Sequence, residues 1–400
     1  MPTLSEVVLP SIERLDRWLV GNGWAGYDPY DLRGSPFILR AKSKSARIAR
    51  RLILGAESWF PVFLRQLTRT QKAINAKGMG LFAEGYRQLF ETTGDERYLR
   101  RAEEALSWLE ANCAPGYSGC CWGYPFDWQS LVLIPKGTPS AVVSASAGEA
   151  FWGFYRMTGD RHYLESCQSV CEFFVHDLKI SRLDSHRICF SYTPIDAFHV
   201  HNANLLVADL LIRVGLETGR TSHVDLGMKA VAYALSEQNE DGSICYWGRD
   251  QSNGCQIDHY HSGFEIRSLY GIWKSTKDAG VYRALKSYYG FYKEYLFQDK
   301  ALPKMTPASL YPVNIHSCAE AILCHSTLAP DFPEGREYLS RCAPWAIDQM
   351  QHRDGWFIYM IRDIGGWFRY SVKIPYIRWG QAWMLRALTA CLGIVEDKGR

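Results

Sequence analysis

Asp258-His259-Tyr260-His261-Ser262-Gly263-Phe264-Glu265 returns in shortened form as His316-Ser317-Cys318-Ala319-Glu320, and both copies read His-Ser-x-x-Glu. Residues four apart share a helix face, so His261 is expected beside Glu265 and His316 beside Glu320. Aligned on that glutamate, a carboxylate or amide recurs within apolar helical text at Glu84, Glu149, Asn204, Glu265, Glu320 and Gln381. The steps are 65, 55, 61, 55 and 61 residues. A period of about 60 residues, long enough for two helices, marks a repeat array. The pattern predicts six helical hairpins.

The joints inside the hairpins repeat as well. Thr93-Gly94-Asp95 is followed by Glu96-Arg97-Tyr98-Leu99, and Thr158-Gly159-Asp160 by Arg161-His162-Tyr163-Leu164. Glycine ends one helix and aspartate caps the next. Helix pairs are expected at about 78–92 with 96–112, 141–157 with 161–177, 200–217 with 223–238, 260–275 with 280–296, and 315–328 with 335–351. The sixth unit has only its first helix, about 377–392, so an N-terminal helix must supply its partner. The expected fold is all-α: one (α/α)6 toroid domain over residues 1–400 with short β-hairpin loops at one rim. Residues 1–70 hold an amphipathic helix (4–20) and a second helix, about 45–68, kinked at Pro61; they close the ring against the 377–392 helix.

Hydrophobic residues make up 47% and charged residues 22%, as in ordinary globular domains. A net charge of +3 gives no footprint for nucleic acid. Aromatic content is the outlier at 14%, and many of the 14 Trp and 23 Tyr lie in loops, where their faces suit stacking on sugar rings. The twelve cysteines form no C-x-x-C pair, so neither a zinc ribbon nor a disulfide framework is expected, and free thiols are. No apolar run is long enough to span a bilayer and no charged-then-apolar leader precedes Val20; the expected location is cytoplasmic.

Long aromatic loops connect each hairpin to the next and are expected to gather at one rim, where a rigid scaffold carries its site. His201, Asn202, Asp258, His259, His261, His316, Arg378 and Trp379 fall at the N-termini of the inner helices, which converge on that rim and bias it toward anions.

Gly116-Tyr117-Ser118-Gly119 followed by Cys121-Trp122-Gly123-Tyr124-Pro125-Phe126-Asp127-Trp128-Gln129, with Tyr260-His261-Ser262-Gly263-Phe264 and Ile377-Arg378-Trp379-Gly380-Gln381-Ala382-Trp383, resembles bacterial exopolysaccharide and capsule biosynthesis-cluster proteins of the VpsJ type. It is more remotely similar to the helical domain of D-glucuronyl C5-epimerases and to six-hairpin glycosidases. The resemblance implies a toroid acting on a glycan, with contacts to polysaccharide assembly proteins. A further distant likeness, to N-acylglucosamine 2-epimerases, lacks the arginine-histidine opening expected there, and no catalytic residue is carried over from it.

Proton abstraction beside a uronic-acid carboxylate needs a base, an acid on the opposite face and a cationic clamp. His261 or His201 are the candidate bases, with His316 in register. Tyr124, Tyr260 and Tyr376 are candidate acids and Arg378 the clamp. Trp122, Asp127, Trp128, Asn202, Asp258, His259, Glu265, Glu320, Trp379 and Gln381 are candidate substrate contacts. For the glutamates, the plainer expectation is a tie between neighbouring helices. A glycosidase would need two carboxyl groups across the sugar, and Asp127, Asp196, Asp258 and Asp363 are the rim acids. His259, His261, His201 and His316 are conceivable zinc ligands, but the first two stand two apart, a poor spacing at a helix start; no cofactor is expected. A non-catalytic glycan binder would instead use Trp122, Trp128, Trp247 and Trp379 as stacking platforms.

Overall fold

The computed structural model describes residues 3–35, 38, 44–252 and 254–396. Among them are fourteen α-helices: α1 (Leu4–Asn22), α2 (Lys44–Ala56), α3 (Pro61–Leu67), α4 (Ala76–Thr93), α5 (Glu96–Ala111), α6 (Ala141–Thr158), α7 (Arg161–His176), α8 (His201–Thr218), α9 (Thr221–Ser236), α10 (His259–Thr276), α11 (Ala279–Tyr295), α12 (Ile315–Leu328), α13 (Gly335–Met350) and α14 (Trp383–Glu396). A π-helical turn, Ile377–Ala382, leads into α14.

The inner helices α4, α6, α8, α10, α12 and α14 each pack on the next, and α14 returns to α4. Helices α5, α7, α9, α11 and α13 back the first five, and α1 packs on α14 and α13. The expected (α/α)6 toroid is thus present. The repeated joint has the expected chemistry: Gly94 and Gly159 take left-handed backbone, while Asp95 and Asp160 cap α5 and α7. Two further copies exist. Thr218-Gly219-Arg220 keeps the glycine, and Thr276-Lys277-Asp278 keeps the cap but puts lysine in the left-handed turn, with φ of 57°.

Helix α1 closes the ring for reasons visible in its sequence. Thr3 and Glu6 form a capping box, and Val8, Ile12, Leu15 and Leu19 make one fully buried stripe. Each such side chain contributes up to about 1.5–3 kcal/mol by leaving water. The second N-terminal helix differs from expectation. It is two helices, because Pro61 occupies the first position of α3, where its missing N–H costs nothing, rather than the middle of a kinked helix.

Rim loops carry short antiparallel strand pairs, Trp128–Gln129 with Leu133–Ile134 and Ile180–Arg182 with Ile188–Phe190 among them. A three-stranded sheet joins Val313–Asn314, Met360–Ile364 and Phe368–Val372. The cysteine expectation is corrected here: Cys245 and Cys255 form a disulfide, with the other ten cysteines free. The loop between α9 and α10 doubles back and brings the two Cα atoms to 5.1 Å, which a ten-residue spacing does not advertise. Replacing Cys255 with Ser is expected to lower the unfolding free energy by about 2 kcal/mol in denaturant titrations. Reductant should then leave the variant unchanged while lowering the wild type to match.

Candidate functional site

The six inner helices start in register, and that register builds the site. Their caps are Asn75, Ser140, Val200, Asp258, Asn314 and Tyr376. The second residue after each cap is Lys77, Val142, Asn202, Tyr260, His316 or Arg378, and all six line one cavity of about 80 Å³ on the ring axis. His261 and Trp379, each third after its cap, line it too, with Phe264, Tyr30, Tyr124, Trp128, Tyr192 and Tyr246. First residues point elsewhere, because each helical residue rotates the side chain by about 100°. His201 lies against Glu237, Nε2 to carboxylate 2.9 Å, and stacks on Tyr233; His259 bonds the Leu296 carbonyl and the Tyr292 hydroxyl. Burial pushes His259 down to about 3, so it is a neutral structural link between α10 and α11.

His261 does not pair with Glu265. Asp258 caps α10 through the His261 amide, 3.0 Å, and its second oxygen takes the His261 ring at Nδ1, 2.6 Å. A carboxylate on Nδ1 fixes the proton there and leaves Nε2 as the basic nitrogen. Glu265 instead takes a hydrogen bond from the Tyr288 hydroxyl, and burial holds its carboxyl well above the usual range.

His316 likewise stands apart from Glu320. The Glu320 carboxylate holds Arg267 of α10, at 2.6 and 3.1 Å, passing over Gly263, where any side chain would collide with it. Glu149 reaches Arg213 of α8, and Glu84 lies 3.2 Å from Arg386 of α14. Three of the recurring glutamates are therefore ties between inner helices. Asn204 and Gln381 tie loops instead, binding the Phe190 and Phe357 backbone. These polar residues also sit at unequal depths: Glu84 and Glu149 are nine residues past their caps, and Asn204 only four.

Three groups on the cavity wall stand out by what they lack. Both ring nitrogens of His316 and the Oδ1 of Asn202 are buried without a hydrogen-bond partner among the described residues. The Nζ of Lys77, a residue 5% exposed, makes neither a hydrogen bond nor an ion pair among the described residues; it stands 5.1 Å from the Phe264 ring and 5.3 Å from that of Trp383. Desolvation, reinforced by the Arg378 charge, pushes this amine well below its ordinary range. Burial, reinforced by the Arg378 charge, pushes His316 down, so it is a neutral imidazole. Buried polar atoms are normally satisfied. Here they converge on one space, where a ligand's hydroxyls would satisfy them.

Arg378 is held by Asp28, at 2.7 and 2.8 Å, under the rings of Tyr124 and Trp379. The Asp28 carboxylate thus offsets its charge, with Nη1 unpartnered among the described residues. The wall phenols cannot serve as tyrosinate bases, because burial raises all five, Tyr30 to about 12. They remain proton donors. Tyr376 lies outside the cavity under Arg65. Trp122 is core, donating to the Leu109 carbonyl, and Asp127 accepts from the Lys136 amide. Asp196 and Asp363 serve their own loops, through Thr193 and Arg369. No group of three His, Cys, Asp or Glu side chains arranged for a metal occurs among the described residues.

A larger void of about 290 Å³ lies farther along the axis and shares Lys77, Val142 and Phe264 with the first. Its charges are largely spent on one another: Arg213 with Glu149 and Asp209, Arg267 with Glu320, and Arg386 with Glu84. The smaller cavity is therefore the candidate site.

No protein-family model matches the chain, and no curated protein matches it by sequence. Solved structures do match in fold. A GH76 alpha-mannanase of Bacteroides thetaiotaomicron shares 11% identity with a TM-score of 0.63, over 83% of this chain and 89% of its own. An unsaturated glucuronyl hydrolase specific for heparin shares 12% at 0.60, over 99% and 98%. The cellobiose 2-epimerase of Bacillus thermoamylovorans shares 12% at 0.58, over 81% and 88%. At such identities the likeness establishes the shared toroid.

Proposed function

We propose that this chain is a carbohydrate-active enzyme that transfers a proton at a sugar carbon beside a carboxylate, as an epimerase or lyase on a uronic-acid-containing glycan. The observation that carries the reading is the Asp258–His261 pair opening onto a cavity shared with unpartnered Lys77, His316 and Asn202. His261 Nε2 takes the proton, and Lys77 and Arg378 stabilise the enolate charge. A wall phenol, Tyr260 or Tyr124, returns a proton from the other face in an epimerase. In a lyase the β-substituent leaves and collects that proton instead.

The hydrolase alternative lacks its couple, since two carboxyl groups must flank the bond and no Asp or Glu among the described residues lines the cavity. The fold is common to hydrolases and an epimerase, so it favours sugar chemistry without choosing between them. The likeness of Cys121–Gln129 to capsule-cluster proteins supports a role in bacterial polysaccharide biosynthesis, with assembly proteins as partners.

Incubation with uronic-acid oligosaccharides in deuterated water is the test. Deuterium fixed at a sugar carbon, with inverted configuration or a new double bond, is the expected product. New reducing ends without deuterium would replace this reading with hydrolysis, and intact, unlabelled glycan that nevertheless binds would replace it with a binding protein.

A further inference from the structure

The ring closes through α1, leaving α2 and α3 outside it, and these two helices turn their apolar side chains the wrong way for a soluble domain. Leu52 of α2 and Phe63 and Leu67 of α3 are exposed, as are Trp59 and Phe60 between the helices. This is not loose attachment. Arg65 of α3 is fully buried, bonded to Asp31, Glu57 and the Pro61 and Asp28 carbonyls, and Leu64 is buried beside it. With that face anchored, α3 must hold Phe63 and Leu67 outward.

The sheet hairpin extends the patch. Trp59 stacks on Tyr370 at 4.2 Å, its neighbour Ser58 bonds the Tyr370 hydroxyl, and Trp367 at the hairpin tip is 80% exposed. Single exposed apolar side chains need no explanation, but a contiguous group on three adjoining elements marks an interaction surface.

Charge indicates the partner. Residues 40–72 hold nine Lys and Arg and one acid, Glu57, which Arg65 already occupies. Arg50, Arg51, Arg69 and Lys72 are exposed. Tryptophan and phenylalanine interleaved with basic residues are what a helix lying in a lipid interface presents. The centre of a protein interface is instead depleted in charge. With 13 and 7 residues, α2 and α3 are too short to cross a bilayer.

We propose that α2, α3 and the 360–372 hairpin dock the protein on an anionic lipid bilayer. The docked face adjoins the site. Tyr30, which lines the catalytic cavity, also lines a cleft with Leu54, Ser58 and Tyr376, so docking brings the mouth close to the membrane surface. A saccharide on a lipid carrier would then be within reach, but docking itself does not depend on the chemistry proposed above.

The test is co-sedimentation of the full chain with vesicles of phosphatidylcholine, alone and with about one third phosphatidylglycerol. Binding to the anionic vesicles is expected, weakening as salt rises. Arg50→Glu with Arg51→Glu, and separately Phe63→Ser with Trp367→Ser, should each weaken it at least ~10-fold while circular dichroism stays unchanged. Absence of binding by the wild type, or binding by both double variants as strong as the wild type's, would overturn the proposal. So would sedimentation velocity showing a dimer that both variants dissolve, with no vesicle binding, since a second copy would then be the occupant.

Discussion

Replacing His261 with Asn is expected to slow turnover by about 100- to 10,000-fold, the usual worth of a positioned general base. The fold should survive, because the cap that starts α10 is the Asp258 carboxylate on the His261 backbone amide, and this contact does not use the ring. Asp258→Asn separates the two duties of that carboxylate. Asparagine is as good a cap as aspartate, so α10 should remain intact. The amide loses the charge that holds the proton on Nδ1 and stabilises the imidazolium formed when Nε2 accepts one. Turnover should therefore fall in this variant too, with thermal stability close to wild type. Deuterium incorporation should decline in parallel with turnover in both variants. Normal incorporation in the His261 variant would remove the imidazole from the reaction and leave a wall phenol or Lys77 as the group to examine.

The sequence points to His261 through a pairing that the structure replaces with another. The His-Ser-x-x-Glu echo paired each histidine with the glutamate four residues on, and helix geometry does put them on one face. In the folded chain a nearer partner wins: Asp258 is both the cap and the ring's acceptor, while the glutamates cross to neighbouring helices. The hairpins themselves were legible because helix joints are local, and Thr-Gly-Asp states both an ending and a beginning.

The cavity wall was legible only in part, because it depends on where each helix starts, to within one residue. Counting from caps puts Asn202 and Tyr260 on the axis and turns His201 and His259 away from it. Counting from the glutamates hides this. The sequence hides Lys77, because Lys77-Gly78-Met79-Gly80 is poor helical text and suggests a start at about 78. Gly80 is there for packing: a Cβ on it would meet the Ser146 carbonyl at 2.6 Å. The helix starts at Ala76, and Asn75, which caps it through the Lys77 amide, was the available signal.

Lys77→Met should make the protein more stable and worse at its task. A buried amine without a partner is a cost to folding, and an apolar side chain of similar length removes it, a gain of about 1–3 kcal/mol. The pH dependence gives the sign. In the folded chain Lys77 gives up its proton well below the ordinary range, whereas the unfolded chain binds it until the pH passes the ordinary value of 10.5. Falling pH thus favours the unfolded state of the wild type. The advantage of the variant should be largest at neutral pH and vanish above about 10.5, which denaturant midpoints at two pH values would reveal. Function should move the other way. An acidic saccharide entering the cavity gives the amine a counter-charge, so Lys77 takes up a proton as the ligand binds. Losing that contact should cost about 2–5 kcal/mol of affinity, about 30-fold or more, for a uronate ligand and little for the matching neutral sugar. Calorimetry in buffers of different ionisation enthalpy would register the proton uptake in the wild type and its loss in the variant. Equal weakening of acidic and neutral ligands would show that Lys77 only shapes the cavity, and an unaltered affinity for both would take it out of the site.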